Sequence, residues 1–599
     1  MRFFLLFCAA CNEYKIHPDP GPVEGEDSPA PEDCALSADA YAVDADAACV
    51  VEAEPGGFSP VVEWQWAANP TVPGYEQIMA TPAVGNVTDD NGDGRVDDAD
   101  VPDVVFASFA GSAYTTAGTL TAISGDGSGT HWSVYDPGGF HLYSSGGVAI
   151  GDLDGNGTPE VCAAGVEAAV VCLTGKGELK WAGGTETYGY GAPALADLDG
   201  DGQSEVVFGR QVLDTDGTLL ATGAYGAGRY LSYALDIDGD GVQEIHAGSS
   251  LYNADMSLRW DDGTADGPGA AADFDGDGAP ELVHVGSGSV IRTGADGVVR
   301  WTVTIPGGGT GGAPTIADFD GDGAPEVGVA GAYKYAVIET DGSTLWTSDV
   351  QDASSNVTGS AVFDFEGDGR ADVVYADELD LRVYDGATGE VKLTEDNHAS
   401  GTLYEYPLIA DVDADGATEI ILASNNYAYS GWTGITVIGD ASGTWRPSRP
   451  VWNQYAYSVS NVDDDGGIPA SPTPSWTVWN SFRAAAPAAG ASSDLPDLGV
   501  DAPEVCTLDC DADEVSLLLP VYNSGLVPAD TTAAIVHDGD VLWSQAVSLG
   551  SGEGAWLGPI AFSRGEWKGS LRATLDADGL VEECDETDNS LDLGAWPCP

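Results

Sequence analysis

Residues 318–326 read Asp318-Phe-Asp320-Gly-Asp322-Gly323-Ala-Pro-Glu326, with acids at positions 1, 3, 5 and 9 and glycine at position 6. Acids at alternate positions of so short a loop can all turn inward on one hard cation. Glycine at position 6 permits the sharp turn, and position 7 offers a backbone carbonyl. Outward from the loop both flanks read as strands: the small-residue segment Ala313-Pro-Thr-Ile-Ala317 precedes it, and the equivalent loops continue into β-rich runs such as Glu205-Val-Val-Phe208 and Glu419-Ile-Ile-Leu422.

The pattern recurs. Compact copies carry Asp152, Asp154, Asn156 and Glu160; Asp197, Asp199, Asp201 and Glu205; Asp236, Asp238, Asp240 and Glu244; and Asp273, Asp275, Asp277 and Glu281. After the copy at Asp318 come Asp364, Glu366, Asp368 and Asp372, then Asp411, Asp413, Asp415 and Glu419. Their first aspartates lie 45, 39, 37, 45, 46 and 47 residues apart, close to the period of one propeller blade. A longer copy comes first, with Asp89, Asn91, Asp93, Asp97 and Asp100 at positions 1, 3, 5, 9 and 12 of an EF-hand-like loop. Asp and Gly also build metal-free hairpin turns, which is the competing reading of any single copy. Eight copies with three or four acids each favour a metal, because such clusters repel unless a cation sits between them. Calcium suits a flexible, many-oxygen shell better than magnesium, so the sequence predicts up to about eight calcium ions.

Farther along most units a turn is followed by an aromatic, as in Gly177-Glu-Leu-Lys-Trp181, Asp296-Gly-Val-Val-Arg-Trp301 and Asp341-Gly-Ser-Thr-Leu-Trp346, with Trp132 and Trp260 in looser versions. These tryptophans resemble the docking residues of quinoprotein propellers; packing between blades is the simpler role. Each unit supplies about four short strands.

The repeats resemble the FG-GAP or VCBS-type repeats of bacterial surface proteins, related to the integrin α propeller. That resemblance covers roughly residues 60–485. It implies calcium in a hairpin of each blade and a role in adhesion or protein interaction. The expected fold is all-β: a propeller of eight blades by motif count, or seven if the first loop belongs to an initial segment, followed by an immunoglobulin-like β-sandwich. The domain boundaries are expected at 58–485 for the propeller and 494–599 for the sandwich. In the latter, Val521-Tyr-Asn-Ser-Gly525 and Val581-Glu-Glu-Cys-Asp-Glu-Thr-Asp-Asn589 resemble the CARDB-type module of bacterial cell-surface proteins.

Met1-Arg2 and a short apolar run up to Cys11 look like a lipoprotein signal (residues 1–11) with Cys11 as the lipidated residue; an ordinary secretory start is the alternative. Residues 12–57, rich in Pro and acids, read as an extended tether. The remaining cysteines fall into near neighbours, Cys34/Cys49, Cys162/Cys172, Cys506/Cys510 and Cys584/Cys598, and an even set in an exported chain predicts disulfides. Sequence does not fix the pairing, and proximity is the working assumption. An outer-membrane or cell-surface lipoprotein, or a secreted protein, is expected.

The 599 residues contain 97 Asp and Glu against 20 Lys and Arg, a formal charge of −77. Phosphate-driven binding of nucleic acid and charge-driven binding of an anionic membrane are therefore not expected, and any membrane contact would run through the N-terminal lipid. So acidic a surface suggests a saline habitat, where screening tolerates the repulsion. No Gly-x-Ser-x-Gly, His-Glu-x-x-His or Walker loop occurs. The glycine-rich Gly307–Gly312 is followed by Ala313-Pro314 rather than a helix start, so it reads as a loop. Two functions fit: a non-catalytic calcium-binding surface protein whose partner is a cell-surface protein or glycan, or a secreted propeller enzyme or lectin acting on polysaccharide.

Overall fold

The computed structural model describes residues 58–488 and, with short gaps, 496–598. Cys11, the 12–57 segment, Cys34, Cys49 and Cys584 lie outside the described residues.

Residues 58–488 form a propeller of eight antiparallel sheets, seven of them four-stranded and the first extended to five by Leu142–Tyr143, which pairs with Ala117–Ser124. Blade 2 shows the pattern, with strands Val148–Gly151, Glu160–Ala164, Val170–Thr174 and Leu179–Gly183 running from the inside outward. The inner strands of blades 1 and 3 to 8 are Ala83–Gly85, Ala194–Ala196, Tyr233–Leu235, Gly269–Ala272, Thr315–Ala317, Ser360–Phe363 and Leu408–Ala410. Blade 8 joins the two ends of the domain: Pro60–Trp66 is its outermost strand and pairs antiparallel with Gly434–Asp440. The first inner strand begins only at Ala83, so the ring closes with a strand that precedes blade 1 in sequence.

Inner and middle strands are short apolar runs without alternation, since both of their faces are covered; Glu326–Ala330 of blade 6 is buried throughout. Outer strands alternate, as Val299–Thr304 does, because one face meets solvent. The tryptophans on these outer strands pack between blades. Trp64, Trp132, Trp181, Trp260 and Trp346 each lie against the turn glycine of the next blade, at Gly127, Gly177, Gly217, Gly297 and Gly389 respectively. The indole N–H of Trp132, Trp260 and Trp301 donates to a backbone carbonyl of that neighbouring hairpin, at Gly175, Ala295 and Thr340. At Gly389, φ is +72° and a Cβ would sit 2.5 Å from the Trp346 ring, so both the turn and the contact require glycine.

An inner strand leaves one edge unpaired, and residues 451–486 occupy the space between these edges. Trp452 bridges Val84, Phe482 bridges Ile316, and further bridges join Gln454 to Ala149 and Ala484 to Val362. Leu195 N–H donates to the Gln454 side chain at 2.7 Å, and Phe482 packs on Tyr233 with ring centroids 4.7 Å apart. Fully buried Arg483 donates to the carbonyls of Gly269 and Pro314 at 3.0 and 2.8 Å and lies over the rings of Tyr455 and Phe482. The segment therefore fills the propeller axis.

Residues 496–598 form a sandwich of two four-stranded antiparallel sheets. One holds Leu498–Val500, Glu504–Cys506, Glu514–Asn523 and Glu553–Ser563; the other holds Ala529–His537, Asp540–Leu549, Leu571–Thr574 and Ser590–Gly594. Leu517, Leu519, Ile535, Phe562 and Trp567 are among the side chains between them.

Cys162 and Cys172 stand opposite each other on adjacent strands of blade 2 and form a disulfide. In the sandwich, proximity fails as a guide. Cys510 is bonded to Cys598, 88 residues away, so Cys506/Cys510 and Cys584/Cys598 are not pairs; Cys506 is itself disulfide-bonded. Cys510 opens the short 3₁₀ turn Cys510–Ala512 before strand Glu514–Asn523 of one sheet, and Cys598 follows strand Ser590–Gly594 of the other, so the bond ties the two sheets together.

Trp346 is almost wholly buried, so Trp346→Ala should lower the unfolding free energy by about 3–5 kcal/mol, while Trp346→Phe retains part of it. A denaturant titration of both variants checks the packing role; a neutral alanine variant would contradict it.

Candidate metal centres

Every acidic loop of blades 2 to 8 joins an inner strand to the second strand, so all of them lie at the same end of the propeller. Blade 6 shows the local geometry. The Asp318 carboxylate accepts the N–H groups of Gly321 and Gly323 at 2.7 and 2.9 Å, both glycines having positive φ. Asp322 accepts Ala324 N–H at 2.9 Å, and Glu326, the first residue of the second strand, accepts Phe319 N–H at 2.8 Å. The bond from position 2 to the acid at position 9 recurs at Leu153–Glu160, Leu198–Glu205, Ile237–Glu244, Phe274–Glu281 and Val412–Glu419. Each of these glutamates thus spends one oxygen on the loop backbone, and Glu160, Glu205, Glu244 and Glu281 also converge with the acids before them.

The convergence is direct. One oxygen from each member of Asp152, Asp154 and Glu160; Asp197, Asp199 and Glu205; Asp236, Asp238 and Glu244; and Asp273, Asp275 and Glu281 lies within 4.8 Å of the others in its set. The fifth-position residues Asn156, Asp201, Asp240, Asp277, Asp368 and Asp415 each turn an oxygen to the N–H two residues on. Glu326 Oε1, Glu419 Oε1 and Asp411 Oδ1 are buried without a hydrogen-bond partner. An all-oxygen donor set with uncompensated buried oxygens fits a hard divalent cation such as calcium.

Blade 1 is built differently. Asp89 accepts Gly92 and Gly94 N–H at 2.8 and 3.0 Å, Asp93 accepts Arg95 N–H, and Asp100 accepts the N–H groups of Asp90, Asn91 and Asp97. The group that could share an ion here is Asp90, Asp103 and His131. Asp103, rather than Asp97, is the first residue of the second strand, and it accepts Val87 and Thr88 N–H at 2.9 and 3.0 Å, as the position-9 glutamates do elsewhere. The motif points to Asp97 because it counts along the loop, and blade 1 carries an insertion between its first strand and Asp103.

A second element meets these loops that the motif does not contain. In every blade the outer strand has a β-bulge against its neighbour, and the extra residue is His131, Lys180, Leu220, Arg259, Arg300, Leu345, Lys392 or, in blade 8, Glu63. Lys180 lies 2.7 Å from both Asp154 and Glu160; Arg259 lies 2.7 Å from Asp238 and 3.1 Å from Glu244; Lys392 lies 2.6 Å from Glu366 and 2.8 Å from Asp372. His131 is 2.9 Å from Asp103. In blade 5 Arg300 pairs with Asp296, and Arg292 of the third strand reaches Glu281 at 3.0 Å instead.

Burial pushes several of these carboxyls well above the usual 4.5: Glu205, Glu244 and Glu63 to about 7, Glu326 to about 8 and Glu419 to about 9. Neighbouring acids add to it, Asp413, Glu63 and Asp411 in the case of Glu419. A metal-free fold therefore holds protons that the unfolded chain releases.

The family of FG-GAP-like repeats matches residues 273–329, from the blade 5 loop to the second strand of blade 6. The resemblance read from the motif is borne out over that stretch. No curated protein sequence matches. Among solved structures, the biofilm matrix protein Bap1 of V. cholerae is similar over 71% of this chain and 99% of its own, at 23% identity and a TM-score of 0.66, which shows a shared fold. A rhamnogalacturonan lyase of Bacillus licheniformis matches 64% of this chain and 75% of its own at 17% identity and a TM-score of 0.44. A CARDB domain from Pyrococcus furiosus matches 17% of this chain and 90% of its own at 22% identity and a TM-score of 0.14.

With folded-state values raised, the stability these glutamates contribute is present below about pH 4.5 and is lost as pH rises through 7 to 9. Chelator-treated protein should thus melt at a lower temperature at pH 8.5 than at pH 6. Added calcium should raise the melting temperature more at pH 8.5, where the ligands are ionised. A chelated protein whose melting temperature climbs with pH over this range would contradict the assignment.

Proposed function

We propose that this chain is a calcium-stabilised, non-catalytic propeller acting in adhesion at the cell surface, held there through a lipid on Cys11 and binding a glycan or protein partner at the end opposite its acidic loops. The disulfide bonds fit an exported protein. The observation that carries the reading is how the two ends of the propeller differ. One end is lined by carboxylate loops. At the other, the loops leading into the inner strands carry half-exposed tyrosines in mutual contact. Tyr188 stacks on Tyr230 with centroids 4.8 Å apart and meets Tyr190 edge-on, and Tyr190 meets Tyr404 at 6.4 Å, from linkers on different sides of the ring. Tyr114 packs on Tyr427, which is itself exposed.

Tyrosine offers a rigid, amphipathic ring at low conformational cost, which suits it to binding surfaces. Residues 451–486 fill the axis behind this patch, so a ligand would meet a surface and not a channel. The similarly folded Bap1 is a biofilm matrix protein, and a matrix or surface role for this chain is consistent with that.

The test is binding of the full chain to bacterial surface polysaccharides and to intact cells, with calcium present. Binding is expected to fall at least about tenfold in Tyr190→Ala/Tyr404→Ala, with melting unchanged. Cleavage of any polysaccharide would replace this reading with a catalytic one, and retained binding in the double variant would move the contact surface elsewhere.

A further inference from the structure

The acidic loops are not equivalent, and the difference lies in the bulged residue of the outer strand or, in blade 5, in Arg292 of the third strand. In blades 2, 4 and 7 that residue is Lys180, Arg259 or Lys392, and its charged group already sits between the acids at positions 3 and 9. In blades 1 and 5, His131 and Arg292 reach the corresponding acids. Blades 3, 6 and 8 present Leu220, Leu345 and Glu63 at the bulge, and among the described residues no lysine or arginine pairs with Glu205, Glu326 or Glu419.

Two of these three blades show what the missing charge leaves behind. Glu326 and Glu419 are wholly buried, and each leaves Oε1 without a partner; Asp411 Oδ1 in the same loop as Glu419 is also unpartnered. A buried, unsatisfied carboxylate oxygen is costly, and a cation is what removes the cost.

We infer that the bulge residue selects which loops take up a divalent cation: the loops of blades 3, 6 and 8 bind it, and Glu63 of the closing strand joins Asp411, Asp413 and Glu419 as a ligand in blade 8. The inference deepens the calcium reading above and rests on it. Where an ammonium or guanidinium occupies the loop, a calcium ion must first displace it and leave that charge beside its own, which lowers the affinity. Where leucine stands, the oxygens of Asp197, Asp199 and Glu205 converge in blade 3 and Glu326 Oε1 is left without a partner in blade 6. In blade 8 the bulge residue is itself an acid, exposed on the outer strand with its carboxylate over Gly439, and as a ligand it would tie strand Pro60–Trp66 to the ion.

The test uses the full chain, stripped with a chelator and re-equilibrated with calcium alone at low micromolar concentration, with bound metal counted after dialysis. About three ions per chain are expected. Leu345→Lys should lose one of them, Lys180→Leu should gain one, and Glu63→Gln should weaken one of the three at least about tenfold without affecting the others. Circular dichroism establishes that each variant is folded, and because the two swaps act in opposite directions a general loss of structure cannot imitate the result. Bound ions whose number ignores both swaps would overturn the selection by the bulge while leaving the calcium reading standing. No bound ion in the unmodified chain would overturn both.

Discussion

Carboxylates drawn into one nine-residue loop repel each other until a positive charge stands among them, and this propeller meets that condition once in every blade. In blades 1, 2, 4 and 7 the device that answers it is a β-bulge. Regular alternation would send neighbouring side chains of the outer strand to opposite faces; the extra residue breaks the alternation. In blade 2, Trp181 docks against Gly217 of the next blade while Lys180 turns into its own blade's loop. Blade-to-blade packing and the charge of the loop are thus set by adjacent residues on one strand.

The axis imposes the second condition. Inner strands expose backbone groups that must be paired, and residues 451–486 satisfy many of them by bridging four of these strands directly. Arg483 shows the cost accepted for this. A fully buried guanidinium is expensive, and here it is met by the carbonyls of Gly269, Pro314 and Tyr455 and by two aromatic faces. With the axis filled, the two ends of the propeller differ in chemistry, one acidic and one carrying the tyrosine contacts.

Much of this was legible in the sequence. The spacing of Asp152, Asp197, Asp236, Asp273, Asp318, Asp364 and Asp411 marks the blades one by one, because each loop joins the same two strands. The tryptophans after the turns were readable as packing residues for the same reason. What the sequence does not disclose depends on contacts between distant residues. Glu63 lies about 350 residues from its loop, and only strand pairing with Gly434–Asp440 brings it there. Asp103 and His131 were hidden by the insertion in blade 1, although the acid that opens the second strand is a signal that could have located Asp103. Lys180, Arg259 and Lys392 each sit next to or near the aromatic position of the repeat, and their charge was visible, but nothing in a linear pattern tells a solvent-facing lysine from one turned inward by a bulge. Cys510 and Cys598 make the same point for the sandwich.

Blade 8 is where these constraints meet, since it alone is assembled from the two ends of the domain. Its closing strand must find Gly434–Asp440 across the whole ring, a loop whose closure entropy opposes it, and it arrives carrying Glu63 toward Asp411, Asp413, Asp415 and Glu419. Backbone pairing and the docking of Trp64 against Gly127 of blade 1 favour closure, while the approach of a fifth acid opposes it. The other blades are continuous in sequence. At blade 8 the charge balance acts on the seam itself, so the state of one acidic cluster bears on the integrity of the entire ring.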